Sequence, residues 1–157
     1  MAMKFVQLTA DTTRVITEFA CSQPITSDKP GYTQIDSADA RYVAWQAALA
    51  AQANAAAALA AGCAIVSAST PTLNGTYAVD PQSRSNLQAL LLGYLLRSAF
   101  PGGGSTFAYP DASGAPHVMT QPQMEEIGSA LEDYVAALDA WATTPGAGAP
   151  AQPVTIA

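Results

Sequence analysis

Charge is scarce in this chain, and acidic residues outnumber basic ones. Charged residues make up 11% of the 157 residues, with 12 Asp and Glu, 6 Lys and Arg, and a net charge of −6. Such a chain has no general attraction to a phosphate backbone or to an anionic membrane surface. We therefore expect neither nucleic acid nor a membrane among its partners.

A long, bulky apolar run is also missing. The longest candidate, residues 44–66, is mostly alanine and contains Gln46, Gln52 and Asn54, so it is too polar to span a bilayer. The first five residues lack the continuous apolar stretch of a secretory signal. We expect the protein to be folded in the cytoplasm where it is made.

The residue types that most often hold metals or attack substrates are rare. His117 is the single histidine, and its only acidic neighbour at a suitable spacing is Asp111, across a turn. With a single histidine and no motif of metal ligands, we expect no metal site and no cofactor. No serine lies in a GxSxG motif, so we expect no catalytic triad. His117 is instead predicted to donate to a backbone carbonyl, and Cys21 and Cys63 are predicted to be small buried apolar residues.

Neighbouring carboxylates are the remaining enzymatic possibility. Glu125 or Glu126 could act with Glu132 or Asp133 as the acid pair of a glycosidase. Adjacent acids on a helix usually form a solvated face, which is the interpretation we prefer. We expect no enzymatic activity.

The N-terminal part predicts a β-hairpin. Residues 4–9 and 14–20 have strand composition, and residues 10–13 between them are typical of a turn. Residues 22–37 predict an irregular connector in which Tyr32 and Ile35 serve as apolar anchors.

A long alanine-rich helix follows. Asp36 or Ser37 can cap a helix that begins near Ala38 and ends at Ala61, where Gly62 stops it. Its larger residues recur at spacings of three and four, as in packed helices. This stripe either faces the protein's own core or forms an oligomer interface, with a trimer as the default guess. Its members are Tyr42, Trp45, Leu49, Gln52, Ala56 and Leu59.

Beyond Gly62, strands at 64–69 and 76–79 are predicted to be joined by a tight Asn74-Gly75 turn that requires positive φ. Asp80-Pro81 marks the start of a helix that ends near Ala99. Its predicted buried face consists of Leu87, Leu90, Leu91, Tyr94 and Leu95.

A further hairpin, 105–109 with 117–120, should have an exposed tip. It leads into a last helix, whose capping box is Thr120 and Gln123. The predicted buried face of this helix is Met124, Ile127, Leu131, Tyr134, Leu138 and Trp141.

The end of the chain is rich in proline and glycine and closes with apolar Val154 and Ile156. It is either a disordered end or an arm that orders against a neighbour. The predicted class is α+β, divided into an N-terminal hairpin docking module (1–37), the long helix (38–62), a C-terminal α+β domain of two hairpins and two helices (63–142), and an extended tail (143–157).

Several segments resemble a known family. They are residues 67–80, with Leu-Asn-Gly-Thr-Tyr at 73–77, and residues 107–111 and 114–117. Together they resemble a C-terminal domain of unknown function found in tail, tail-fibre and tail-assembly-associated proteins of tailed bacteriophages. Residues 5–7, 15–16, 30–32 and 39–45 resemble the N-terminal module that often precedes it.

The resemblance implies that the protein belongs to a phage tail or neck, but it implies no catalytic residues. We expect a virion structural protein of the tail, neck or fibre that docks on other virion proteins and forms a homo-oligomer. The alternatives are a tail-fibre assembly chaperone that is absent from the virion and, more remotely, a phage cell-wall hydrolase.

Overall fold

The computed structural model describes residues 2–23, 31–144 and 147–157. They form an α+β protein of two compact units, Met1–Gln52 and Ala53–Ala157, as the sequence predicts for the class. The described residues contain no helix that is long and apolar enough to cross a membrane.

The N-terminal unit is built on a three-stranded antiparallel sheet. The predicted hairpin is confirmed as β1 (Met3–Leu8) and β2 (Val15–Phe19). A third strand, β3 (Tyr32–Asp36), pairs with the other edge of β1, giving the order β2-β1-β3. The prediction of an irregular connector at 22–37 is therefore wrong for residues 32–36, because β1 offers them an unpaired edge. Residues 24–30 of that connector lie outside the described residues.

The long helix, α1 (Ala40–Ala61), supplies the other side of this unit's core. Tyr42 is buried among strand side chains, and Trp45 packs on the same cluster with its ring 5.7 Å from that of Tyr42. The strand residues of this core are Val6, Leu8, Val15 and Ile35. The helix ends at Gly62 as predicted, with φ of +87°, and a Cβ at that position would lie 2.7 Å from the carbonyl oxygen of Tyr77.

The C-terminal unit contains a second three-stranded sheet and a separate hairpin. In the sheet, β4 (Cys63–Ser67) lies between β5 (Gly75–Tyr77) and β8 (Val154–Ile156). The predicted second hairpin is confirmed as β6 (Thr106–Pro110) and β7 (Pro116–Thr120), and its tip is exposed.

Two helices complete this unit, and both caps agree with the sequence. Asp80 accepts hydrogen bonds from the backbone of Gln82 and Ser83 at the start of α2 (Pro81–Arg97). At the start of α3 (Gln121–Thr143), the side-chain oxygen of Gln123 accepts from the backbone N–H of Thr120 at 2.9 Å. The central core face of α3 is Met124, Ile127, Leu131, Tyr134, Val135 and Leu138.

The turn at Asn74-Gly75 differs from its prediction. The strands do pair, but a single 3₁₀ turn at Pro71–Leu73 reverses the chain, Asn74 has φ of −63°, and Gly75 already belongs to β5. Asn74 Oδ1 accepts from the backbone N–H of Ser67 at 2.7 Å. Asn74 is therefore needed for its side-chain bond, and no positive φ is involved.

The end of the predicted tail, Val154–Ile156, pairs with its own chain, which neither sequence-based alternative anticipated. Strand β8 runs parallel to β4, and Ile156 is buried. The Gln152 side chain donates to the carbonyl of Gly62 and accepts from the backbone N–H of Ala64. Ser67 Oγ donates to the carbonyl of Ala157 at 2.7 Å.

Our first prediction concerns Gly75. A Cβ there would lie 3.1 Å from Nε2 of His117 and 3.2 Å from Oδ2 of Asp111. Gly75→Ala should therefore lower the free energy of unfolding by about 1–3 kcal/mol, the range for overpacking. Urea denaturation measures this change in the free energy of unfolding. Gly148→Ala, which would meet open space, is the control and should change stability by less than about 0.5 kcal/mol. Equal effects of the two substitutions would contradict the close contact.

The second prediction concerns strand β8. Ile156→Ala should destabilise the protein by about 2 kcal/mol, because a buried branched side chain is removed. Thr155→Ala, at the neighbouring exposed position, should have an effect below about 0.5 kcal/mol. Urea denaturation of both variants measures the difference. If Ile156→Ala were neutral, β8 would not be docked on β4.

Candidate interaction surfaces

The predicted oligomer stripe on α1 has a mixed environment. Tyr42 and Trp45 belong to the N-terminal core, and Leu59 packs against the core of the C-terminal unit. Between them, Leu49 is 42% exposed, and Gln52 and Ala56 are exposed too. The two ends of the stripe are thus occupied by the protein's own cores, and the middle three residues remain accessible to a partner. Whether copies associate through them stays a prediction.

A network of polar side chains fixes the helix on the N-terminal sheet. Tyr42 Oη donates to Oε2 of Glu18 at 2.7 Å, and Lys4 Nζ lies 2.8 Å from Oε1 of the same carboxylate. Gln46 donates to Tyr42 Oη at 3.1 Å. The hydrogen bond and charge of Lys4, with the bond from Tyr42, lower the pKa of Glu18. Tyr42 is therefore a structural residue of this unit.

Among the described helical residues, the most exposed large apolar side chains belong to Leu92, Leu95 and Leu96 of α2, which we define as the leucine patch. These side chains are 57%, 71% and 76% exposed, respectively. Positions i, i+3 and i+4 share one helix face, so the three lie side by side. The prediction that Leu95 is buried is wrong, because the core side of α2 carries Leu87 and Tyr94 and Leu95 lies outside it.

The sequence contained a signal for this patch. Leucine occupies positions 90, 91, 92, 95 and 96, which is more than one face of a helix can bury. Leu92 and Leu96 fall outside the predicted buried face. Arg97 adjoins the patch and is the only charged residue in the last two turns of α2; it makes no ion pair with the described residues.

The carboxylates of α3 have structural partners. Glu132 lies 2.8 Å from Arg84 Nη1 and accepts from Gln88 at 3.1 Å, which ties α3 to α2. Glu126 accepts from the backbone N–H of Ala157, and Glu125 accepts from Gln121, both at 2.7 Å. Three of the four acids considered for a glycosidase pair thus form hydrogen bonds within the fold.

His117 holds the hairpin to the neighbouring turn. Its Nδ1 donates to the carbonyl of Thr72 at 2.7 Å, which confirms the predicted bond to a backbone carbonyl, and Nε2 lies 3.4 Å from Oδ2 of Asp111. Hydrogen bonds from Ser113, Ala115 and His117 lower the pKa of Asp111 to about 2. Within the described ranges, no group of three His, Cys, Asp or Glu side chains could hold a metal ion.

The two cysteines have different environments. Cys63 is fully buried, as predicted, and burial raises the pKa of its thiol to about 11. Cys21 is exposed, so the prediction of burial is wrong for that residue. It lies two residues beyond Phe19, the last residue of β2.

Comparison with known proteins gives a family but no characterised relative. No curated protein matches the chain. No solved structure matches it either. A family model described as a domain of unknown function, DUF4376, matches residues 34–144, which include α1, α2 and the β6-β7 hairpin and extend through α3. Because that match spans more than half of the sequence, the chain belongs to the DUF4376 family, whose function is not known.

Proposed function

We propose that this protein is a structural component of the tail, neck or fibre of a tailed bacteriophage, and that it acts by docking on other virion proteins without catalysis. The phage setting is supported by the resemblance of residues 67–80, 107–111 and 114–117 to a domain of tail-associated proteins. The docking role is supported chiefly by the leucine patch. The localisation that follows is the virion, after synthesis and assembly in the host cytoplasm.

The leucine patch is costly to leave in water. Full burial of one leucine side chain is worth about 1.5–3 kcal/mol relative to exposure, so covering most of three would contribute several kcal/mol to an association. Three side chains are too few for an independent interface, since stable complexes bury about 800 Å² per partner. The patch therefore fits an anchor within a larger contact.

The chemistry of the partner surface follows from the patch and its rim. The matching surface is an apolar groove on another virion protein, with a carboxylate placed to pair with Arg97. An acidic rim would complement the local positive charge of this helix end, although the whole chain is acidic. The same anchor would serve an assembly chaperone, which differs in leaving the particle before maturation.

Copies of the chain are proposed to associate through the middle of α1. Leu49, Gln52 and Ala56 lie at successive spacings of three and four on one face, and all three are exposed. This short contact would be weak for the isolated protein and reinforced by neighbours in the particle. A trimer remains the default stoichiometry.

The third prediction tests docking on the particle. Leu95→Lys with Leu96→Lys should remove the protein from purified particles, because two charges would have to be buried in the contact. Lysine suits the C-terminal end of a helix, so the fold should persist. The matched control is Ala136→Lys with Ala140→Lys, at exposed positions of α3. Mass spectrometry of particles from the producing host measures retention.

In that experiment the wild-type protein and the control should be retained at equal levels, and the patch variant should stay in the lysate. If the wild-type protein were found on assembly intermediates but not in mature particles, it would be an assembly chaperone and not a structural component. Full retention of the patch variant would overturn the role of the leucine patch.

The fourth prediction tests self-association. Leu49→Glu with Ala56→Glu should dissociate oligomers while each subunit keeps its circular dichroism spectrum. The control, Ala47→Glu with Asn54→Glu, has the same spacing on the opposite face and should leave the oligomer intact. Sedimentation equilibrium measures the mass. A monomeric wild-type protein at all concentrations, or equal effects of both pairs, would contradict the proposed interface.

A further inference from the structure

The face of the N-terminal sheet that points away from α1 has a concave site. Alternation along β1 places Lys4, Val6 and Leu8 toward the helix and Phe5 on the opposite face. Phe5 pairs with Phe19 on one side and with Gln34 on the other. These residues, with Tyr32, Ser22 and Gln23, line a cavity of about 300 Å³.

Aromatic rings form the apolar part of this cavity. Phe19 and Tyr32 meet edge to face with their centroids 5.2 Å apart, and Phe5 is their neighbour across the sheet. All three are half-buried, so part of each ring remains accessible from the cavity. An aromatic face carries partial negative charge and attracts the weakly positive C–H bonds of a ligand that lies over it.

The polar groups of the cavity are neutral and available. The side chains of Ser22, Tyr32 and Gln34 form no hydrogen bonds with other residues in the described part of the chain. Gln23 Nε2 makes two long local contacts with Cys21, at 3.4 Å to its carbonyl oxygen and 3.7 Å to its sulfur. A side-chain amide has an NH₂ group that donates and a carbonyl oxygen that accepts, and a hydroxyl group has one O–H donor and an oxygen that accepts. Together they can pair with several hydroxyl groups of one ligand.

The neutral lining of the cavity favours uncharged ligands over charged ones. None of the described residues that line the cavity is ionisable at neutral pH. Lys4 and Glu18 pair with each other on the helix side of the sheet. A charged ligand would lose its hydration without gaining a counter-ion.

The volume of the cavity lies at the lower end of the range for small-molecule sites, about 300–1,000 Å³. A protein surface, which needs about 800 Å² per partner, does not suit a cavity of this size.

From this combination we infer that the cavity lined by Phe5, Phe19, Tyr32 and Gln34 is a binding site for an uncharged saccharide of one or two rings. The C–H face of a pyranose stacks on the aromatic rings, and its hydroxyl groups pair with the amides and hydroxyls of the rim. The inference rests on the N-terminal unit alone and does not depend on the docking role proposed for α2.

The fifth prediction tests this site with NMR spectroscopy of the ¹⁵N-labelled full chain, titrated with glucose, galactose, N-acetylglucosamine and their disaccharides. At least one sugar should shift the amide signals of Phe5, Phe19 and Gln34 with a Kd near the millimolar range, typical of a small neutral ligand. Phe19→Leu keeps an apolar side chain but removes the ring, and Gln34→Ala removes one amide. Each should weaken binding about tenfold, which corresponds to about 1.4 kcal/mol.

The matched control is Gln46→Ala, which removes an amide from the helix side of the same unit and should leave the Kd unchanged. Spectra of all variants report whether the sheet is intact. The inference is overturned if no sugar shifts these signals, if both cavity variants bind as tightly as the wild type, or if sialic acid binds as well as the neutral sugars.

Discussion

The buried face of α3 is the constraint on which the C-terminal unit depends. Six side chains from Met124 to Leu138 fill the centre of this unit, and α2, the β4 sheet and the β6-β7 hairpin contribute to the same core. On α2, Leu87 and Tyr94 pack against this core, whereas the leucine patch lies outside it and is exposed.

Several polar side chains join segments that are distant in sequence. Ser67 and Gln152 fix the tail to β4, His117 joins the hairpin to the 3₁₀ turn, and Glu132 ties α3 to α2. His117, Glu126 and Glu132 are thus held in contacts that stabilise the fold. The surface proposed for docking is apolar.

Much of the fold could be predicted because its signals are local. The cap at Asp80, the stop at Gly62 and the three-four spacing on α3 each depend on residues within a few positions. Strands β3 and β8 could not be found in this way, since each is defined by a distant edge that it joins; Gln152 reaches Gly62 across 90 positions. The exposure of Leu95 was missed for a related reason, because a periodic pattern marks an apolar face but does not show what covers it. The saccharide site was missed because its rings come from three strands.

The central claim is that the leucine patch contacts another virion protein in the assembled particle. The most direct measurement places a photo-cross-linking amino acid at position 95 of the full chain, irradiates purified particles and identifies the products by mass spectrometry. The account predicts a cross-link to one larger tail, neck or fibre protein, and none from the same probe at position 136. Cross-links at equal yield from both positions, or from neither in particles that contain the protein, would contradict it.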